Sequence, residues 1–305
     1  MLATRTQFSG YSVSWSPFRG GLLSVATSQY YGIAGNGRVL ILDADMGLSP
    51  ISEFSTKDGC FDVAWSEKNE CILAAATGDG SIKIFDTAHP GSRPLVSLSG
   101  HAAETYSVDW NGINKDMLCT ASWDRTVRIW DVGIGAPVGA PLAHSGIVYE
   151  ARWAGTLLGS VSGDGQFRVW DTKSSRCVLS VPHSGEILCM DWNKYNSNVV
   201  VTGGVDRSVK VWDLRKPAIP VHVNEEHLLA VRRVKFDPHR EHELASCSYD
   251  MTVHAGGKIL DHHSEFVVGL GWSPLRPGYI ASASWDRSVV AWTQHGQQRV
   301  PLARN

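Results

Sequence analysis

Gly100-His-Ala-Ala-Glu-Thr-Tyr-Ser-Val-Asp-Trp110 and, after a short loop, Met117-Leu-Cys-Thr-Ala-Ser-Trp-Asp-Arg-Thr-Val-Arg-Ile-Trp-Asp131 read as three strands and their turns. Tyr106–Trp110 alternates apolar and polar residues. Met117–Ser122 is apolar on both faces, as a central strand should be. Trp123-Asp124-Arg125 is a tight turn, and Thr126–Asp131 alternates again. Gly-His early and Trp-Asp late, in a unit near 40 residues, is the signature of a WD repeat. The strand-ending aromatic recurs at Trp15, Trp65, Trp110, Trp153, Trp192, Phe236 and Trp272, at spacings of 36 to 50 residues. All 12 tryptophans fall at three repeat positions, which marks a repeating core rather than scattered sites. The expected fold is all-β, a seven-bladed WD40 β-propeller, with 1–305 as a single domain. Each blade has four strands around a central channel.

Composition narrows the function. The chain carries 28 Lys and Arg against 30 Asp and Glu, a net charge of -2. That balance argues against a protein that coats nucleic acid. No run approaches the ~18 apolar residues of a membrane span. The N-terminal Met1-Leu-Ala-Thr-Arg5 lacks the apolar stretch of a signal peptide. The six cysteines form no C-x-x-C pair and read as reduced, mostly buried thiols of a cytosolic protein.

Turn aspartates recur at Asp79, Asp124, Asp164, Asp206, Asp250 and Asp286. Loop histidines recur at His101, His144, His183, His227 and His263, each nine residues before its strand-ending aromatic. Ser122, His101 and Asp124 have the residue types of a nucleophilic triad. The same set returns blade after blade, however, and catalysis needs a site once. A hydrogen-bond network that locks strands is needed in every blade. The chain is therefore expected not to be an enzyme, and no cofactor or metal is expected. Asp261-His262-His263 reads as a loop carrying the ordinary repeat histidine.

Two blades depart from the pattern. Blade one lacks the turn aspartate and carries the insert Gln29-Tyr-Tyr-Gly-Ile-Ala-Gly-Asn-Gly37. Blade six lacks its Trp-Asp, and Gly256 stands six residues after Asp250. Val253-His-Ala, a Gly256-Gly257 turn and Lys258-Ile-Leu are expected to form a shortened hairpin. The segment Ala3-Thr-Arg-Thr-Gln-Phe8 is expected to pair with Ser288–Trp292 and close the ring, hiding two strand edges.

The histidine loops and aspartate turns lie at one end of every blade. Trp123, Val205, Tyr249 and Trp285, just before the turn aspartates, point to that face. So do Glu104, Tyr106, Ile147, Tyr149, Glu186 and Phe266, after the histidines. Aromatics mixed with acids suit a binding face.

Specific strings go beyond the generic repeat. They are Ser-Gly-Tyr at 9–11, Tyr31-Gly-Ile-Ala-Gly35, Cys60-Phe-Asp-Val-Ala-Trp65, Tyr106-Ser-Val-Asp-Trp110, Asp191-Trp-Asn-Lys-Tyr195, Val231-Arg-Arg-Val-Lys-Phe236, Ala245-Ser-Cys-Ser-Tyr-Asp250 and His262-His-Ser-Glu-Phe266. Through them the chain resembles the peroxin 7 family, cytosolic receptors for the type 2 peroxisomal targeting signal. The resemblance spans all seven blades and includes the blade-one insert. Only the blade-six hairpin and Thr293–Asn305 depart. It implies binding of a short N-terminal cargo signal as a helix, with an early arginine, across the face described. It also implies an import co-receptor that closes over the helix, contact with the peroxisomal docking machinery, and cycling between cytoplasm and peroxisome. Family acidic positions near the cargo arginine match Asp58 and Glu104. The expected contact set is Asp58, Glu104, Tyr106, Trp123, Tyr149, Glu186, Tyr249 and Trp285. An alternative is a substrate adaptor of a cullin ubiquitin ligase, because Trp212-Asp-Leu-Arg215 fits the short Trp-Asp-x-Arg pattern of such adaptors.

Overall fold

The computed structural model describes residues 1–91 and 93–294. Among them, seven four-stranded antiparallel sheets stand around one axis. Their innermost strands are Ser9–Trp15, Cys60–Trp65, Thr105–Trp110, Val148–Ala154, Ile187–Trp192, Val231–Phe236 and Val267–Trp272. Each inner strand touches the next, and Val267–Trp272 returns to Ser9–Trp15, so the ring is closed. The seven-bladed propeller read from the repeat is the fold observed.

The cores lie between blades. Ala26, Val39, Ile41 and Phe54 of blade one pack with Val63, Trp65, Leu73 and Phe85 of blade two. A blade therefore buries its faces only against its neighbours, and no blade carries a core alone.

Closure uses the expected N-terminal segment, but the strand is Leu2–Arg5 rather than Ala3–Phe8 and pairs with Ser288 to Ala291. Leu2–Arg5 is the fourth strand of blade seven, with Leu2 opposite Ala291 and Arg5 opposite Ser288. The competing segment at 299–303 lies outside the described residues. In blade six, Val253–Ala255 and Lys258–Leu260 pair across Gly256 and Gly257. Both glycines have φ of +56° and +71°, the left-handed values a two-residue hairpin turn requires. This connection is shorter than the third-to-fourth-strand loops of the other described blades.

The repeated polar residues form a strand lock, with one correction. The hydroxyl in the network is Thr120, not Ser122. Trp130 Nε1 donates to Thr120 Oγ1 at 2.8 Å, His101 Nε2 lies 2.8 Å from that hydroxyl, and His101 Nδ1 lies 2.8 Å from Asp124. Ser122 instead donates to the Ala103 carbonyl and accepts from the Asp124 amide. An indole N–H can only donate, so the hydroxyl proton is free for Nε2 and the Nδ1 proton goes to the carboxylate. Burial would raise the Asp124 pKa, but hydrogen bonds from His101 and Thr126 hold it well below the usual carboxylate range. Gly100 precedes the histidine because the Trp130 ring lies 3.0 Å from where a Cβ would sit.

Blade five breaks the rule. His183 turns Nδ1 to the carbonyl of Val181 at 3.3 Å, and Asp206 pairs with Lys210 instead. Burial without a carboxylate partner brings the His183 pKa down to about 4. The unfolded imidazole titrates near ~6.5. The unfolded chain therefore binds more protons between these values. Stability from this group is complete above pH ~6.5 and is lost as pH falls toward 4, by about 2–3 kcal/mol. The urea midpoint should drop between pH 7 and pH 4.5, and less steeply in His183→Gln. A flat midpoint over that range would contradict the account.

Candidate binding face

Four residues before each strand-ending aromatic, the inner strand carries one side chain to the mouth of the channel. Around the ring these are Tyr11, Phe61, Tyr106, Tyr149, Leu188, Arg232 and Val268. A bulge in the register falls beside this position in every inner strand. Such bulges re-aim side chains at a barrel or channel rim.

The rings form a continuous floor. Phe61 lies 5.2 Å from Tyr11 and 5.1 Å from Tyr106. Tyr106 lies 5.4 Å from Trp123 and 6.2 Å from Tyr149. On the other side Trp285 sits 5.7 Å from Tyr11, 5.2 Å from Phe266 and 6.5 Å from Tyr249. The blade-one insert joins them. Tyr31 packs 5.4 Å from Trp285, and Tyr11 donates its hydroxyl hydrogen to the Tyr31 carbonyl.

Each sequence-derived site residue has a definite place on this surface. Trp123 is 39% exposed and stands as a free anchor. Trp285 is half-buried, and its indole N–H has no acceptor among the described residues. Tyr106 is only 9% exposed. Tyr106 and Tyr249, read from the sequence as outward-pointing, belong to the packed floor because neighbouring rings cover them. Tyr149 donates to Glu186 at 2.7 Å, so that acid is already engaged. Burial and this hydrogen bond raise the Tyr149 pKa. Asp58 and Glu104 are different. Among the described residues neither carboxylate has a side-chain hydrogen bond or ion pair. Asp58 shares with Phe61 the space beside Gly78, 3.4 and 3.5 Å from a built Cβ. The Glu104 carbonyl accepts the Trp123 amide at 3.0 Å. Asp58 thus lies beside Phe61, and the Glu104 backbone is tied to that of Trp123.

Tyr11, Phe61 and Arg232 escaped the sequence reading, although they share the repeat position of Tyr106 and Tyr149. Arg232 is buried, with its guanidinium 4.8 Å over the Tyr106 ring and Nη1 3.4 Å from the Leu188 carbonyl. Burial disfavours its charge, yet Tyr106 and Tyr249 keep its pKa above the ordinary arginine value.

Beneath the floor the channel is filled with ion pairs. Arg233 bonds Glu150 at 2.8 Å and lies 3.5 Å from Asp62. Arg152 reaches Asp62 at 3.3 Å and Asp109 at 3.1 Å. Burial would raise Glu150, but Arg152, Arg233 and Lys235 hold it well below its usual range. The far mouth is a 280 Å³ cavity whose lining includes Glu67, Asp109, Asp191, Lys194 and Lys235. There Asp191 pairs with Lys194 at 3.0 Å and with Lys235 at 4.0 Å. Of Asp261-His262-His263, His263 is the ordinary strand lock, bonded to Ser282 and Asp286. In the Trp-Asp-x-Arg string Trp212 is buried and Arg215 pairs with Asp213.

A family model described as WD domain, G-beta repeat matches residues 48–86, 92–131, 175–213 and 219–254. The chain is 44% identical over 288 residues to a peroxisomal targeting signal 2 receptor of Dictyostelium discoideum, covering 90% of this chain and 91% of that one. It is 43% identical over 306 residues to peroxisome biogenesis protein 7 of Arabidopsis thaliana, covering 95% and 96%. It is 33% identical to a peroxisomal targeting signal 2 receptor of Schizosaccharomyces pombe, covering 96% and 99%.

Proposed function

Since this chain belongs to the WD-repeat family of peroxisomal targeting signal 2 receptors, we propose that it binds the type 2 signal of cargo proteins on the aromatic face and delivers them for import. The signal lies there as a helix. Its arginine enters between Asp58 and Glu104, and its apolar residues rest on the row from Tyr106 to Trp285. A co-receptor covers the helix, and the complex then meets the peroxisomal docking machinery. The receptor cycles between cytoplasm and peroxisome. Recognition here needs no catalysis, metal or cofactor.

One observation carries this reading: among the described residues two carboxylates without a side-chain partner, Asp58 and Glu104, accompany a ring-lined floor. A basic amphipathic helix is complementary to such a surface. Residues one or two turns from the arginine lie ~5 to 11 Å along the helix, at 1.5 Å per residue. That spacing lets one helix use both parts of the face.

The test is a pull-down with an immobilised type 2 signal peptide, with and without its arginine, in the presence of the co-receptor. The arginine-containing peptide should retain the protein and its arginine-free counterpart should not. Equal retention by both peptides would remove charge recognition from the function. Chelators should leave retention unchanged.

A further inference from the structure

Away from the aromatic face, the missing Trp-Asp of blade six leaves the third strand without a large side chain opposite Leu244 among the described residues, and the Gln294 side chain of blade seven lies where a Cβ on Gly256 would sit. In the other blades the third strand places a large side chain opposite the second strand: Leu42, Phe85, Trp130, Trp170, Trp212 and Trp292. In blade six the last such pair is Ala245 with Ala255, and the next residue is Gly256. The hydroxyls Thr120, Ser160 and Thr202 each accept an indole N–H at 2.7–2.9 Å. Ser246, at the equivalent position, has His227 at 2.8 Å and no indole donor among the described residues.

The result is an open groove of 700 Å³ between blades five and six. Ser246, Phe236, Leu244, Ala255 and Gly256 line it where the indole would be, and Val209 and Val211 form the opposite wall. The outer strands leave it uncovered, because His222–Asn224 and Lys258–Leu260 have three residues each. Two buried polar atoms on lining residues have no hydrogen-bond partner: Glu243 Oε2 and His254 Nδ1. His254 stacks on His227 at 3.8 Å, and Glu226 at the rim stands 3.6 Å from its Nδ1. The groove also carries Glu241 and Lys258, and Arg240 pairs with Glu243 Oε1 at 2.7 Å.

Buried polar atoms without partners are rare in native proteins. Here they share one cavity with an indole-sized vacancy and an excess of carboxylates. We infer that this groove is a docking site for a linear segment of a partner protein carrying a tryptophan next to a basic residue. The indole enters between Leu244 and Val211 and gives its N–H to Ser246, completing in trans the strand lock that blade six lacks. The neighbouring cation pairs with Glu226 and with Oε2 of Glu243, whose Oε1 holds Arg240. An aromatic anchor seated in a preformed pocket is the usual source of affinity in such contacts.

The full chain can be tested with the dipeptide Ac-Trp-Arg-amide carrying a 5-fluoroindole, followed by ¹⁹F NMR. Saturable broadening is expected, with Kd below ~1 mM, the range open to a ligand of this size. Unlabelled Ac-Ala-Arg-amide and Ac-Trp-Gln-amide should compete at least tenfold less well than Ac-Trp-Arg-amide. Glu226→Gln with Glu243→Gln should weaken binding at least tenfold at an unchanged melting temperature. If that double variant does not fold, Glu226→Lys at the exposed rim should give a loss in the same direction. A type 2 signal peptide should not displace the probe. Displacement by it would place the probe on the aromatic face and overturn the assignment. So would absence of saturation, or undiminished binding in a folded double variant. A concentration-dependent dimer abolished by these substitutions, without probe binding, would give the groove to a second copy and equally overturn it.

Discussion

Asp58→Ala and Glu104→Ala are each expected to weaken cargo binding by roughly 2–5 kcal/mol when the co-receptor is present. That corresponds to about 30-fold or more in Kd. The magnitude rests on water. Among the described residues neither acid has a side-chain partner, so each gives up hydration when the cargo arginine arrives. Once a co-receptor covers the helix, the pair sits in a lower dielectric and its attraction strengthens. Removing one partner then strands the other charge, and the loss appears mainly as faster dissociation. Without the cover the pair stays wet and should be worth only ~0–1 kcal/mol. The difference between the two conditions is therefore itself part of the prediction. Stability should hardly change, because neither acid belongs to the His–Asp strand locks. Peptide affinities measured with and without the co-receptor check this. Wild-type affinity in both variants, or an equal loss with an arginine-free peptide, would exclude these acids from recognition.

The largest loss of stability should come from the channel. Arg233 is buried between Glu150 and Asp62, two blades from one and four from the other along the chain. Arg233→Ala would leave two buried carboxylates short of a cation. Breaking a buried pair in this way typically costs about 3–5 kcal/mol, far more than the pair contributes over an apolar replacement. The folded pKa values of Asp62 and Glu150 should rise, since Arg233 is among the charges that now depress them. The variant should consequently recover part of its stability as pH falls from 7 toward 5, as the stranded carboxylates take up protons. Urea unfolding at pH 7 and pH 5 reads both effects. A loss below ~1 kcal/mol, or a variant that weakens further on acidification relative to wild type, would show that the network is solvated.

Much of this was legible in one dimension because a propeller repeats its physics. Every blade ends its inner strand in an aromatic, and most add a hydroxyl, a histidine and a turn aspartate, so the same letters return at similar spacing. Departures from the pattern are readable for the same reason. The absent Trp-Asp and the Gly256-Gly257 pair gave the short hairpin, and the polar start of the chain gave the closing strand. The hydroxyl of the lock was misassigned to Ser122 because sequence spacing does not show which way a strand residue faces. The register does, and it places Thr120 against the indole.

The amino-acid order by itself determined the fold class, the blade count, the closing strand and the end of the propeller that carries aromatics and acids. Tertiary structure alone decided which of those groups are free. Tyr106 and Tyr249 are floor and Glu186 is occupied, whereas Asp58 and Glu104 have no side-chain partner among the described residues. It also decided that Tyr11, Phe61 and Arg232 join the face, and that Arg233 meets an aspartate 171 positions away. The reason is geometric. Within a blade, contacts join residues close in sequence and repeat with its period. Around the channel each blade contributes one side chain per layer, so neighbours there come from distant repeats and are chosen only when the ring closes.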